Sequence, residues 1–167
     1  MALRKIDLGD LKLNPFDILN KEWMLLSAGK EKDFNTMTVS WGALGYIWGA
    51  PAATAYVRQS RYTRDFIEKY DSFSLTVLKA GYSDQLNRLG SESGREIDKI
   101  NDSGLTPIIL EGCPAFEQAR LVFICKKMFS NEIYEDGFLY KETLDKFYST
   151  RDMHTMYIGS ITSCYED

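Results

Sequence analysis

The run SFSLTVL, residues 72–78, alternates without a fault, with Phe73, Leu75 and Val77 on one side and Ser72, Ser74 and Thr76 on the other. A period of two belongs to a strand that buries one face in a sheet. Other β-prone runs stand at 22–30, 34–41, 52–58, 119–129 and 153–162, with TPIIL and the turn EGCP ahead of the fourth. Helical spacing intervenes only briefly. It appears at 63–70, where Thr63 serves as a cap before Phe66, Ile67 and Tyr70, and at 83–90, capped by Ser83. It returns between Gly94 and Gly104, and at 141–148 with Leu144 and Phe147 in step. About seven short strands with small helices between them, and no βαβ rhythm, specify an α+β, mainly β fold on an antiparallel barrel. No repeat or linker divides residues 1–167, which are expected to form a single domain.

Several chemistries are unsupported. One histidine, His154, leaves no paired-His metal site, and Cys113, Cys125 and Cys164 are too scattered for a zinc or disulfide framework. No metal site is expected. Thr38-Val39-Ser40-Trp41-Gly42 lacks the first glycine of a nucleophile elbow, and neither GxGxxG nor GxxxxGK[ST] occurs. A net charge of −4 argues against nucleic-acid and anionic-membrane partners. Without a long apolar segment at the start or elsewhere, the expected location is cytoplasmic, with reduced thiols.

Two signals remain. In NTMTVSW, residues 35–41, a strand would set Thr36, Thr38 and Ser40 on one face and Met37, Val39 and Trp41 on the other. A row of small hydroxyls suits either a polar barrel exterior or a flat ligand with a polar rim. In YVRQSRYTRDF, Arg58 and Arg61 bracket Ser60, and Thr63 opens a helix. Guanidinium forks and hydroxyls suit either a solvated turn or a phosphate.

The chain resembles the flavin reductase-like proteins of the FMN-binding split β-barrel, flavoredoxin-like members included. The resemblance is carried by NPFDILNKEWMLLSAG, FNTMTVSWGALGYIWGAP, YVRQSRYTRDFI, SGREIDKI, FEQARLVFICKKMF and HTMYIGSI, in that order. It implies a split barrel with short peripheral helices. It further implies FMN lying along Asn35, Thr36, Met37, Thr38, Val39, Ser40 and Trp41, with Met37 and Trp41 packing the barrel behind that strand. Its phosphate would be held by Arg58, Ser60, Arg61 and Thr63, and Gly42 and Gly45 would turn the chain. Ser93, Gly94, Arg95 and Lys99 form a second polar loop near the cofactor by resemblance, or a surface helix start by composition. His154 stands near the flavin ring by the same resemblance, as a catalytic group or a structural one, and Trp48 as ring cover, dimer contact or core. Family members form homodimers. They either reduce flavin with NADH or NADPH or carry electrons to or from a redox partner protein without catalysis of their own.

Overall fold

The computed structural model describes residues 2–167. Its strands are β1 (Arg4–Ile6), β2 (Met24–Lys30), β3 (Asp33–Val39), β4 (Gly42–Ile47), β5 (Ala50–Arg58), β6 (Ser72–Leu78), β7 (Pro107–Leu110), β8 (Cys113–Phe116), β9 (Ala119–Glu132) and β10 (His154–Glu166). The short helices are α1 (Pro15–Asp17), α2 (Thr63–Lys69), α3 (Ser83–Ser91) and α4 (Lys141–Phe147). One antiparallel sheet runs β3-β2-β6-β9-β10-β5-β4, with β1 added to β10, and β7 and β8 form a separate hairpin. This is the mainly β architecture that the alternation specifies. No helix among the described residues is long and apolar enough to cross a membrane.

The sheet curls because its two edge strands are neighbours in the chain: only Ser40 and Trp41 separate β3 from β4. Alternate residues fill the interior, among them Leu26, Met37, Val39, Val57, Phe73, Leu75, Val77, Leu121 and Phe123. Each such side chain contributes roughly 1.5–3 kcal/mol by leaving water. A second cluster forms outside the barrel, where Leu86 and Leu89 of α3 pack on Leu25 and Phe116.

The register leaves a seam. Strand β4 pairs with β5 only as far as Gly42 opposite Ala55. Tyr56, Val57 and Arg58 therefore have β10 on one side, with His154 opposite Arg58, and no β4 partner on the other. Across from them lies β3, which pairs only with β2. Unpaired strand edges offer rows of backbone donors and acceptors, and here two of them border one opening.

Four local expectations are corrected. Residues 42–47, read as a glycine-driven turn, form β4, and the reversal comes later at Trp48 and Gly49, whose φ values are 50° and 74°. Two successive left-handed residues make the hairpin turn whose twist matches its strands. Thr63 and Ser83 lie inside the first turns of α2 and α3, behind Tyr62 and Tyr82, and neither helix has a side-chain cap bond. The helix expected between Gly94 and Gly104 is a series of turns with a single 3-10 turn at Asn101–Ser103. Inward pull explains it, since Lys99 is buried and Gly94 lies against Asn35.

Candidate functional site

The seam opens into a cleft of about 240 Å3, lined by Met37, Thr38 and Val39 of β3, Ser40 and Trp41 just beyond it, Tyr56 and Arg58 from β5, Arg61, Gly90 of α3, and His154. It adjoins a recess of about 800 Å3 that shares Ser40, Trp41 and Tyr56 and is walled by Phe16, Trp23 and Tyr148. The first is polar and charged, the second largely aromatic. Tyr56 escaped the sequence reading, although it lies two residues before Arg58 on the same strand face. Gly90, Tyr148 and Asp152 carry no local signal at all.

Arg61 lines one end of the cleft, and Lys99 lies beside it in the wall of a separate groove. Lys99 is 2 % exposed, and its Nζ donates to the carbonyl oxygens of Leu89 (3.2 Å) and Glu92 (3.1 Å). The half-buried Arg61 guanidinium donates to the same Leu89 oxygen at 3.4 Å. Neither cation forms an ion pair with a carboxylate among the described residues. Burial, reinforced by the charge of Arg61, pushes the Lys99 ammonium down to about 8. Arg61 is likewise lowered by burial, with Arg58 adding to the effect against Asp152. Glu92 and Asp152 offset this only in part, and buried like charges are costly unless an anion completes the set. Gly90 keeps the floor open: a Cβ there would stand 3.2 Å from the Cβ of Thr38.

At the other end, His154 is 7 % exposed and its Nδ1 lies 2.8 Å from the Tyr148 hydroxyl. That hydroxyl has no other acceptor among the described residues, so the network assigns it as donor to Nδ1 and places the imidazole proton on Nε2. Burial first, then the Arg58 charge, hold the imidazole down to about 4, so it is neutral at pH 7. Trp41 stands beside it, ring centroids 5.1 Å apart, and meets Phe147 edge-on at 5.3 Å. Arg58 fixes this wall: its guanidinium donates to the carbonyls of Asp152 (2.7 Å) and Phe147 (3.0 Å) and lies 5.2 Å over the Tyr148 ring.

The structure brings Met37, Thr38, Val39, Ser40, Trp41, Arg58, Arg61 and His154 to the cleft and keeps others from it. Thr36 is fully buried; its hydroxyl accepts from Ser27 and donates to the Leu26 carbonyl. Thr38 donates to the Leu86 carbonyl at 2.5 Å. The hydroxyls of Thr36 and Thr38 are thus taken up by β2 and α3, and of the three only Ser40 retains a hydroxyl without a partner among the described residues. Trp41, expected inside the barrel, is 40 % exposed, because β3 ends at Val39 and leaves it on the rim. Trp48 is 60 % exposed and sits on Phe129 at 5.8 Å, which removes it from the core and from the cleft.

Two members of the expected phosphate set have partners within the fold. Ser60 gives both its N–H (3.1 Å) and its hydroxyl (2.6 Å) to the Asp152 carboxylate, and Thr63, 1 % exposed, accepts from the Asn35 amide at 2.8 Å. Asn35 is itself 3 % exposed. In the 93–99 loop, Arg95 turns outward to Asp65 and over Tyr62, the Ser93 hydroxyl accepts from the Arg95 N–H, and Gly94 packs on Asn35. Lys99 alone points its charge inward beside Arg61.

A family model described as "Flavin reductase like domain" matches residues 18–167. Comparison with curated proteins gives no match. Among solved structures, a flavoredoxin from Methanosarcina acetivorans superposes with a TM-score of 0.69 at 20 % identity, over 95 % of this chain and 75 % of that one. An FMN-binding domain of flavin reductase-like enzymes from Shewanella baltica gives 0.67 at 18 %, over 99 % and 77 %. An NADH:FAD oxidoreductase from Streptomyces globisporus, in complex with NAD and FAD fragments, gives 0.66 at 15 %, over 87 % and 74 %.

Proposed function

The chain belongs to the flavin reductase-like family, and from that membership and the cleft we propose that it is an FMN-binding oxidoreductase. One observation carries the reading: Arg61 and Lys99 converge on a single carbonyl, with no carboxylate on either. A phosphate monoester dianion is the ligand such a pair lacks. The polar cleft, about 240 Å3, has room for a phosphate and a sugar-alcohol chain. The tricyclic ring needs the adjoining recess of about 800 Å3, a size within the ~300–1,000 Å3 usual for ligand pockets.

In this reading Arg61 and Lys99 hold the phosphate, and the free edge of β3 with Ser40 meets the polar rim of the ring. The neutral imidazole of His154 offers an Nε2–H donor that Tyr148 keeps in place. The flavin supplies the electron-carrying chemistry; the chain binds, orients and shields it. NADH or NADPH is the proposed electron donor, an assignment supported by the similarity to an NADH:FAD oxidoreductase. The competing role, an electron carrier serving a protein partner, is supported by the similarity to a flavoredoxin. We further propose a cytoplasmic homodimer, with Tyr46 and Trp48 (73 % and 60 % exposed) at the tip of the β4–β5 hairpin as the apolar contact.

Anaerobic mixing with each nicotinamide decides between the roles. Rapid bleaching of the flavin absorbance by NADH or NADPH establishes the reductase, and bleaching only by a reduced electron-transfer protein establishes the carrier. A colourless protein that takes up no FMN refutes both.

A further inference from the structure

Behind Trp41 lies a third space, about 950 Å3, which shares Trp41, Ile133 and Tyr148 with the recess and extends from them to Phe138, Thr143 and Phe147. Its walls are Trp41, Ile133, Phe138, Phe147 and Tyr148, so ring faces and edges dominate. They belong to the end of β9, the following turn and α4. Trp41 meets Phe147 edge-on at 5.3 Å, and Phe138 meets Tyr148 at 5.5 Å, which leaves a box of pre-placed aromatic surface. Such surface favours another ring by offset or edge contacts.

The rim has a sign. Glu132 and Asp136 line it, whereas the cations Arg58 and Lys146 lie 5.2 Å over the Tyr148 and Phe147 rings without lining the cavity themselves. Arg64 reaches Glu132 only at 3.6 Å, whereas Asp136 has no charged partner among the described residues. The polar cleft across Trp41 is the reverse, with Arg58 and Arg61 in its lining. The indole of Trp41 therefore separates a cationic site from an acid-rimmed one.

We propose that this cavity binds a neutral or cationic aromatic ring compound and rejects anionic ones, flavin phosphates and nicotinamide dinucleotides included. Volume, aromatic lining and rim charge define that class without reference to the flavin. The cavity shares only Trp41 with the polar cleft, and its contact with the recess runs through Trp41, Ile133 and Tyr148, so displacement by FMN is the result that would merge the two.

Isothermal titration of the purified protein with naphthol, N-methylquinolinium and naphthoate at pH 7 tests the proposal. Naphthol and the quinolinium should bind, and naphthoate should bind at least about tenfold more weakly through repulsion by the two carboxylates. Asp136→Asn should narrow that gap. Thr143→Trp, at an exposed position of α4 that lines the cavity, should fill it and weaken naphthol at least about tenfold while FMN affinity and Tm stay as in the parent. Equal binding of naphthol and naphthoate overturns the proposal, as does undiminished naphthol binding by Thr143→Trp. One-for-one displacement of naphthol by FMN would make the cavity part of the cofactor site, and failure of all three probes would leave it to another chain; either result overturns the proposal. A protein that binds naphthol but no FMN leaves this site standing and removes the flavin reading instead.

Discussion

Lys99 and Arg61 donate to one carbonyl oxygen, that of Leu89, at 3.2 and 3.4 Å. They are 38 residues apart in the chain and share no carboxylate. The carbonyl lies near the C-terminal end of α3, where the helix dipole already favours positive charge. It stabilises the two cations without neutralising them, so their charge remains available to an anion.

Removing either cation should therefore cost phosphate recognition specifically. A charge-assisted hydrogen bond is worth roughly 1.5–3 kcal/mol. Arg61→Ala and Lys99→Met should each weaken FMN by about one to two orders of magnitude and change riboflavin little. Fluorescence titration with both flavins reads the difference. Equal losses for the two would place the phosphate elsewhere.

The Lys99 ammonium also sets a pH dependence. Its value of about 8 in the folded protein lies below the ordinary 10.5. FMN affinity should fall as pH rises through 8, because the bound phosphate needs the charged form. Stability of the free protein moves the other way. Between pH 8 and 10.5 the unfolded chain holds the proton that the folded chain has lost, so this group makes folding more favourable as pH rises. Chemical denaturation of parent and Lys99→Met across that window should show the parent gaining relative to the variant.

His154 acts at the acid end. Its value of about 4 against the ordinary 6.5 means that the unfolded chain binds the extra proton first. Its contribution to stability is intact above pH 6.5 and lost as pH falls towards 4. Nitrogen NMR at pH 6 should show a neutral ring protonated on Nε2, and Tyr148→Phe should mix the tautomers. A charged ring at pH 6 would contradict the buried, Arg58-facing placement.

Much of this arrangement was legible from local pattern, and the exceptions share a cause. Alternation located β6, and the facing of Met37 and Val39 followed from period two alone. Arg58, Arg61 and Lys99 stood out as cations beside hydroxyls and glycines. What local pattern did not show is that three of the hydroxyls assigned to the ligand have partners within the fold. Thr36, Ser60 and Thr63 found partners in Ser27, Asp152 and Asn35, and no local spacing shows that β2, the 152 turn or β3 will arrive there. The 94–104 segment failed for a related reason: burial of Lys99 against Leu89 and Glu92 overrode helical propensity. Trp41 was misplaced by two residues of strand length, which carried it from the interior to the rim between two cavities.

Strand β3 and the residue that follows it supply the last test, since Met37 and Ser40 should fail in different ways. Met37, 6 % exposed, packs in the barrel interior, and Met37→Ala should cost about 2–5 kcal/mol and lower the melting temperature with or without FMN. Ser40 is half-buried, lines both the cleft and the recess, and has no hydrogen-bond partner among the described residues. Ser40→Ala should leave the free protein's melting temperature within a degree or so of the parent, because nothing inside the fold loses a bond. It should weaken FMN by about 0.5–1.5 kcal/mol, the net value of one hydrogen bond. Thermal melts of both variants, free and FMN-saturated, separate the two effects. A Ser40→Ala protein that melts early yet binds FMN as the parent does would mean that the hydroxyl serves the fold, and that the ring is met by β3 through backbone alone.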